Sequence, residues 1–259
     1  MKRIETVLKI VHKKVTKEDW DNCLIIAGDE GTGKSNMALH ILEWWLTKQY
    51  GKVVPEDIKF NSLDREQFIK NLRDCKRFDL PVFDESGELS NKRSMSKFNV
   101  TISQAYQVIR GDNLFTILVL PSLFDLEGFF TKRRARGLIQ VYKRGRFAYW
   151  DKQRLRKLVA LNQKRYIKSV WCTAPLFYDT FPIYKGVMAE PYKLKKAEKI
   201  KNVRNKLYDD LTKENKKSER DALIPEMVKE LGKEKTAKIV GVKIHRINQI
   251  LQKAKQGGK

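Results

Sequence analysis

Lys34 and Ser35 close the stretch GDEGTGKS, residues 28 to 35, and the chemistry they offer depends on the glycines before them. The spacing Gly28, Gly31, Gly33, Lys34, Ser35 satisfies G-x-x-x-x-G-K-[ST]. In that pattern successive backbone N–H groups wrap the phosphates of a nucleotide, and glycine is needed because side chains would block the close approach. On this reading Gly28, Asp29, Glu30, Gly31, Thr32, Gly33 and Asn36 surround bound ATP, Lys34 reaches its terminal phosphates and Ser35 binds Mg²⁺. A second carboxylate-bearing stretch, LPVFDE, ends in Asp84 and Glu85. Asp84 is expected to hold the magnesium through water, and Glu85 to polarise the attacking water, so the pair predicts ATP hydrolysis as well as binding. The plainer alternatives are a glycine-rich turn and an acidic pair capping a strand.

The flanking elements decide between them. NCLIIAG, before the glycines, reads as a buried strand, and NMALHILEWWLTKQY, after them, has apolar residues at helical spacing, the context a phosphate loop requires. Further along, KVVPEDIKFN predicts a short second strand and REQFIKNLRDCKRF an amphipathic helix. SKFNVTISQAYQVIR predicts another helix, and NLFTILVLPS a buried strand ending in Ser122. GLIQVYKRG and RFAYWD read as a hairpin turning at Arg144-Gly145, with Lys143, Arg144 and Arg146 as cations at its tip. Alternating strands and helices predict an α/β fold in three layers around a mainly parallel sheet. The aromatic- and proline-rich segment 171 to 192 is expected to form the edge of that core rather than to stack on bases.

Charge is the other strong signal. The 259 residues carry a formal net charge of +23, unevenly distributed. Residues 1 to 130 hold 19 Lys and Arg against 19 Asp and Glu, residues 131 to 170 hold 14 against 1, and residues 191 to 259 hold 20 against 9. Such concentration repels itself unless a polyanion neutralises it, so DNA is the expected partner. No stretch is apolar for the roughly 18 residues a membrane span needs, and MKRIETVLKIVHKK lacks the uninterrupted apolar core of a signal peptide, so a cytoplasmic protein is expected. Cys23, Cys75 and Cys172 are isolated, with neither a disulfide framework nor metal-ligand spacing.

The cluster TKRRARGL offers Arg133, Arg134 and Arg136 either as arginine fingers reaching a neighbouring subunit's terminal phosphate or as a grip on DNA phosphates; Arg110 is a further finger candidate. In the tail, KEKTAKIVGVKIHRINQILQKA places Ala237, Gly241 and Ile247 at the small, turn and locking positions of a helix-turn-helix. Lys243, His245, Arg246 and Gln249 then fall on the outer side of its second helix, where they meet phosphates or base edges.

GDEGTGKS, LPVFDE, IRGDNLFTILVLPS and the arginines that follow resemble the additional-strand P-loop ATPases, and within them the FtsK/HerA-like DNA-pumping and mobile-element ATPases. That resemblance, over about residues 20 to 150, implies a strand beside the phosphate-loop strand whose polar end senses the terminal phosphate; Ser122 stands near that place. It implies a DNA translocase, packaging motor or replication factor of a virus, plasmid or mobile element, working as a ring or filament of identical subunits. The expected organisation is an ATPase domain over 1–192, a charged helical linker over 193–217 and a helix-turn-helix domain over 218–259. The alternative is an AAA+-like helicase loader or transposition regulator whose ATP state controls assembly on DNA. A DNA-binding switch of the partition type fits less well, since its loop requires lysine where Asp29 stands, and a small-molecule kinase leaves the basic tail unexplained.

Overall fold

The computed structural model describes residues 1–84, 100, 111–126 and 128–256. The chain forms two compact units, Met1–Lys196 and Ala197–Lys259. The first is an α/β unit built on a seven-stranded sheet in the order β2-β3-β4-β1-β5-β6-β7. Its strands are β1 (Asn22–Ala27), β2 (Asn61–Ser62), β3 (Val82–Asp84), β4 (Phe115–Leu120), β5 (Gly137–Lys143), β6 (Arg146–Asp151) and β7 (Phe177–Thr180). The pairs β2–β3, β3–β4, β4–β1 and β1–β5 are parallel; β5–β6 and β6–β7 are antiparallel. All six residues of β1 and of β4 are buried. A central strand covered on both faces tolerates no polar alternation, which is why NCLIIA and FTILVL read as continuous apolar runs.

Alternation along β1 divides the core in two. Leu24 and Ile26 face α1 (Lys2–Lys17) and α2 (Lys34–Tyr50), packing with Leu8, Leu42 and Trp45. Cys23 and Ile25 face the other way, with Phe68 of α3 (Arg65–Asp74) and Leu155 and Leu158 of a helix at Lys152–Arg165. Trp45 is fully buried, lies 4.7 Å from the Phe115 ring, and donates its indole N–H to the Phe78 carbonyl at 2.9 Å, so its one polar atom is satisfied.

Two expectations about elements need correcting. The strand expected at KVVPEDIKFN is mostly a 3₁₀ helix, Pro55–Phe60, leaving Asn61–Ser62 as strand. Pro55 presets the helical φ, and Asp57 accepts the Val54 N–H at 2.9 Å, so the segment caps itself instead of entering the sheet. The strand expected to end at Ser122 ends at Leu120, before Pro121, which has no N–H to give a ladder. The helix expected over SKFNVTISQAYQVIR falls, apart from Val100, outside the described residues.

The helix Ala189–Leu231 begins in the first unit and runs into the second, so residues 193–217 lie within one helix. In the second unit the helices Lys233–Val240 and Ile244–Gln256 are joined at Gly241, whose φ of 70° is the left-handed conformation that favours glycine. Ile224, Ala237, Ile247 and Ile250 form the buried core of this unit.

Candidate functional site

The glycine-rich loop leaves β1 at Gly28 and enters α2 at Lys34, where the free N–H groups and dipole of a helix N-terminus face outward. Gly28 sits against the neighbouring strand: a Cβ there would stand 2.3 Å from the Val141 carbonyl oxygen, and φ is 150°. Its N–H donates to the Pro121 carbonyl at 3.2 Å, tying the loop to the end of β4. Gly31 and Gly33 adopt φ of 76° and 98°. Thr32 Oγ1 donates to the Asp29 carbonyl at 2.7 Å and closes the turn from inside.

Lys34 folds back over the loop, its Nζ donating to the Gly28 carbonyl at 2.5 Å and to that of Asp29 at 2.8 Å. Beside it Ser35 Oγ donates to Asp84 Oδ1 at 3.2 Å, across 49 residues of sequence. The sheet makes this meeting possible: β4 lies between β1 and β3, so the loop after β1 and the end of β3 share one edge. Asp84 is 2% exposed, and burial pushes its carboxyl above the usual carboxylate range, opposed by hydrogen bonds from Tyr192 and Ser35 and by the charges of Lys196 and Lys34. Burial likewise lowers the Lys34 ammonium, against the attraction of Asp84, Asp29 and Glu30.

Two residues of this site gave no signal in the sequence. Tyr192 donates its hydroxyl to Asp84 Oδ2 at 2.9 Å and is itself buried, and Lys196, one turn on, adds a positive charge facing Asp84 and Lys34. In the sequence Tyr192 ends an aromatic segment and Lys196 belongs to a charge run. Nothing local marks them, because they lie more than a hundred residues from Asp84 in sequence.

The other candidates are dispersed. Ser122 caps the one-turn helix Leu123–Asp125, its Oγ accepting the Phe124 N–H at 3.2 Å, and it is Pro121 that meets the loop. Arg134 pairs with Asp21 at 3.5 Å, and the Arg136 guanidinium lies 5.0 Å over the Trp20 ring. Asp21 and Trp20 precede β1 and Arg136 precedes β5, so these two arginines sit at the edge of the parallel strands opposite the loop. Arg133 ends the short helix Gly128–Arg133. Lys143, Arg144 and Arg146 lie at the loop's own edge, and Arg144 joins Thr32, Gly33, Asn36, Phe181 and Pro182 around a cavity of about 190 Å³. Asn36 accepts the Tyr184 N–H at 3.3 Å, fixing that wall. In the second unit Lys243, His245 and Gln249 are exposed, whereas Arg246 is held by Asp221 at 2.9 Å. Glu85 and Arg110 lie outside the described residues.

The donor set fits a magnesium nucleotide: a loop that tolerates no side chain at its first glycine, a cation over its mouth, and a hydroxyl and a carboxylate converging at its end. Compared with known proteins, the chain matches no family model and no curated protein.

Proposed function

We propose that this chain is a Mg²⁺-dependent ATP hydrolase of the P-loop type that acts on DNA, as a translocase, packaging motor or replication factor of a virus, plasmid or mobile element. The observation that carries the ATPase half is the hydrogen bond between Ser35 and Asp84 at the head of the glycine loop. These two residues would hold Mg²⁺, the loop N–H groups and Lys34 would hold the phosphates, and Glu85 would take the proton of the attacking water. Bound Mg²⁺ supplies neutralisation of the phosphate charge. The position of β4 between β1 and β3 supports the additional-strand reading. The DNA half rests on charge, 14 basic residues against 1 acidic over residues 131 to 170, and on the exposed Lys243, His245 and Gln249.

Calorimetric titration with ATP and Mg²⁺ tests the ATPase half. Lys34→Ala removes a charge-assisted contact and should weaken binding by about 10- to 100-fold. Glu85→Gln should bind ATP and retain it unhydrolysed. A folded Lys34→Ala protein with undiminished ATP affinity overturns the reading.

A further inference from the structure

Three aromatic side chains from separate elements meet on one outer face of the first unit: Tyr142 of β5, Trp171 of the one-turn helix Val170–Cys172, and Tyr178 of β7. The Tyr142 ring lies 5.8 Å from that of Trp171 and 6.0 Å from that of Tyr178. The three are 39%, 49% and 52% exposed. They are not loose, because Trp171 rests 5.5 Å from fully buried Trp150, whose indole N–H donates to the Thr173 carbonyl at 3.1 Å. The residue pair Ala148–Tyr178 shares a face, and alternation along β6 puts Arg146 on it as well. Alternation along β5 puts Tyr142 on the side of Leu138 and Gln140, which pair with Trp150 and Ala148, while Val141 points into the core on the other side.

Beyond what Trp171 covers of Trp150, these rings leave apolar area in water. Lys143, Arg144 and Arg146, all exposed, stand at the adjoining hairpin tip. A second copy of this chain would bring the same cations against themselves. A nucleic-acid strand offers flat bases to the rings and phosphates to the cations, and only an unpaired strand has base faces free. We propose that Tyr142, Trp171 and Tyr178 form a stacking platform for the bases of single-stranded nucleic acid, with Lys143 and Arg146 beside it for the phosphates. The proposal rests on the nucleic-acid half of the function given above and is independent of ATP hydrolysis.

Fluorescence anisotropy with a labelled dT oligonucleotide and a hairpin duplex of equal phosphate number tests it, using Trp171→Leu, Tyr178→Leu and the double variant across a salt series. Stacking on one ring is worth enough that each single variant should lose about tenfold in dT affinity, by the same factor at every salt concentration. Duplex affinity should be unchanged, which also verifies that the variants are folded. Wild-type tryptophan fluorescence should be quenched by dT, and Trp171→Leu should remove most of the quench. Undiminished dT affinity in the double variant, with duplex binding intact, overturns the platform alone; absence of binding to either probe by the wild type overturns the nucleic-acid reading with it. A double variant that sediments as a smaller species while keeping its dT affinity also overturns the platform, the face then being a contact between copies of the chain.

Discussion

Asp84 is shared by two hydroxyls, one from the loop helix and one from Tyr192, and its burial is what makes the sharing matter. A buried acceptor deprived of its donor bears a desolvation penalty of about 1–3 kcal/mol. Tyr192→Phe removes that donor with little change of shape, so unfolding in urea at neutral pH should show a loss of that order. A loss below about 0.5 kcal/mol would mean the bond contributes nothing beyond what water supplies. Gly28 leaves no room for a side chain. An alanine methyl there would stand 2.3 Å from the Val141 oxygen, and displacing backbone on a central strand costs about 1–3 kcal/mol. Gly28→Ala should therefore lower the urea midpoint and weaken ATP binding together, since the loop can only relieve the clash by moving.

At the scale of elements, α1 docks on α2 through Ile4, Leu8 and Val15, whose spacing gives the helix an apolar stripe. His12 lies on the same helix, its ring 5.1 Å from Trp45 and 6.3 Å from Trp44, with Nε2 buried and unpartnered. Burial lowers its pKa from the ordinary 6.5; a hydrogen bond with Gln49 opposes this, and the charges of Lys48 and Lys17 add to it. The folded protein thus binds the proton more weakly than the unfolded chain. The stabilisation from neutral His12 is fully present above the unfolded pKa and is lost as pH falls through the lowered folded value. Urea unfolding at about pH 7.5 and about pH 5.5 should show a steeper acid loss in the wild type than in His12→Gln. Equal losses in the two proteins would place the acid sensitivity elsewhere.

Across the whole molecule the basic residues divide by position more than by number. Arg134 and Arg136 are engaged with Asp21 and Trp20 at one edge of the sheet, and Lys143 and Arg146 stand exposed at the other. Within one chain an arginine finger from the first pair is on the wrong edge for the loop; only a neighbouring subunit would bring it there. Neutralising Lys143 and Arg146 together should weaken duplex binding for all sequences and flatten the log–log salt dependence by about 0.9 per lost phosphate contact. An unchanged slope would mean that these cations do not touch phosphates.

The glycine-rich loop, the buried strands around it and the helix after it were legible in the sequence because each is local: glycine placement, an apolar run and a 3.6-residue period all act within about twenty residues. The same locality made the hairpin at Arg144-Gly145 readable, and Gly145 does turn there with φ of 75°. Folding decided what lies far apart in the chain. Sheet order alone brought Ser35 to Asp84, and the helix that starts at Ala189 alone brought Tyr192 to the same carboxylate. The aromatic segment 171 to 192 was divided by packing, with Phe181, Tyr184 and Tyr192 turned inward and Trp171 and Tyr178 left in water. Composition specifies that rings must be placed somewhere; only the register of β6 with β5 and β7 determines which face receives them, because a one-residue change of register moves every side chain to the other side.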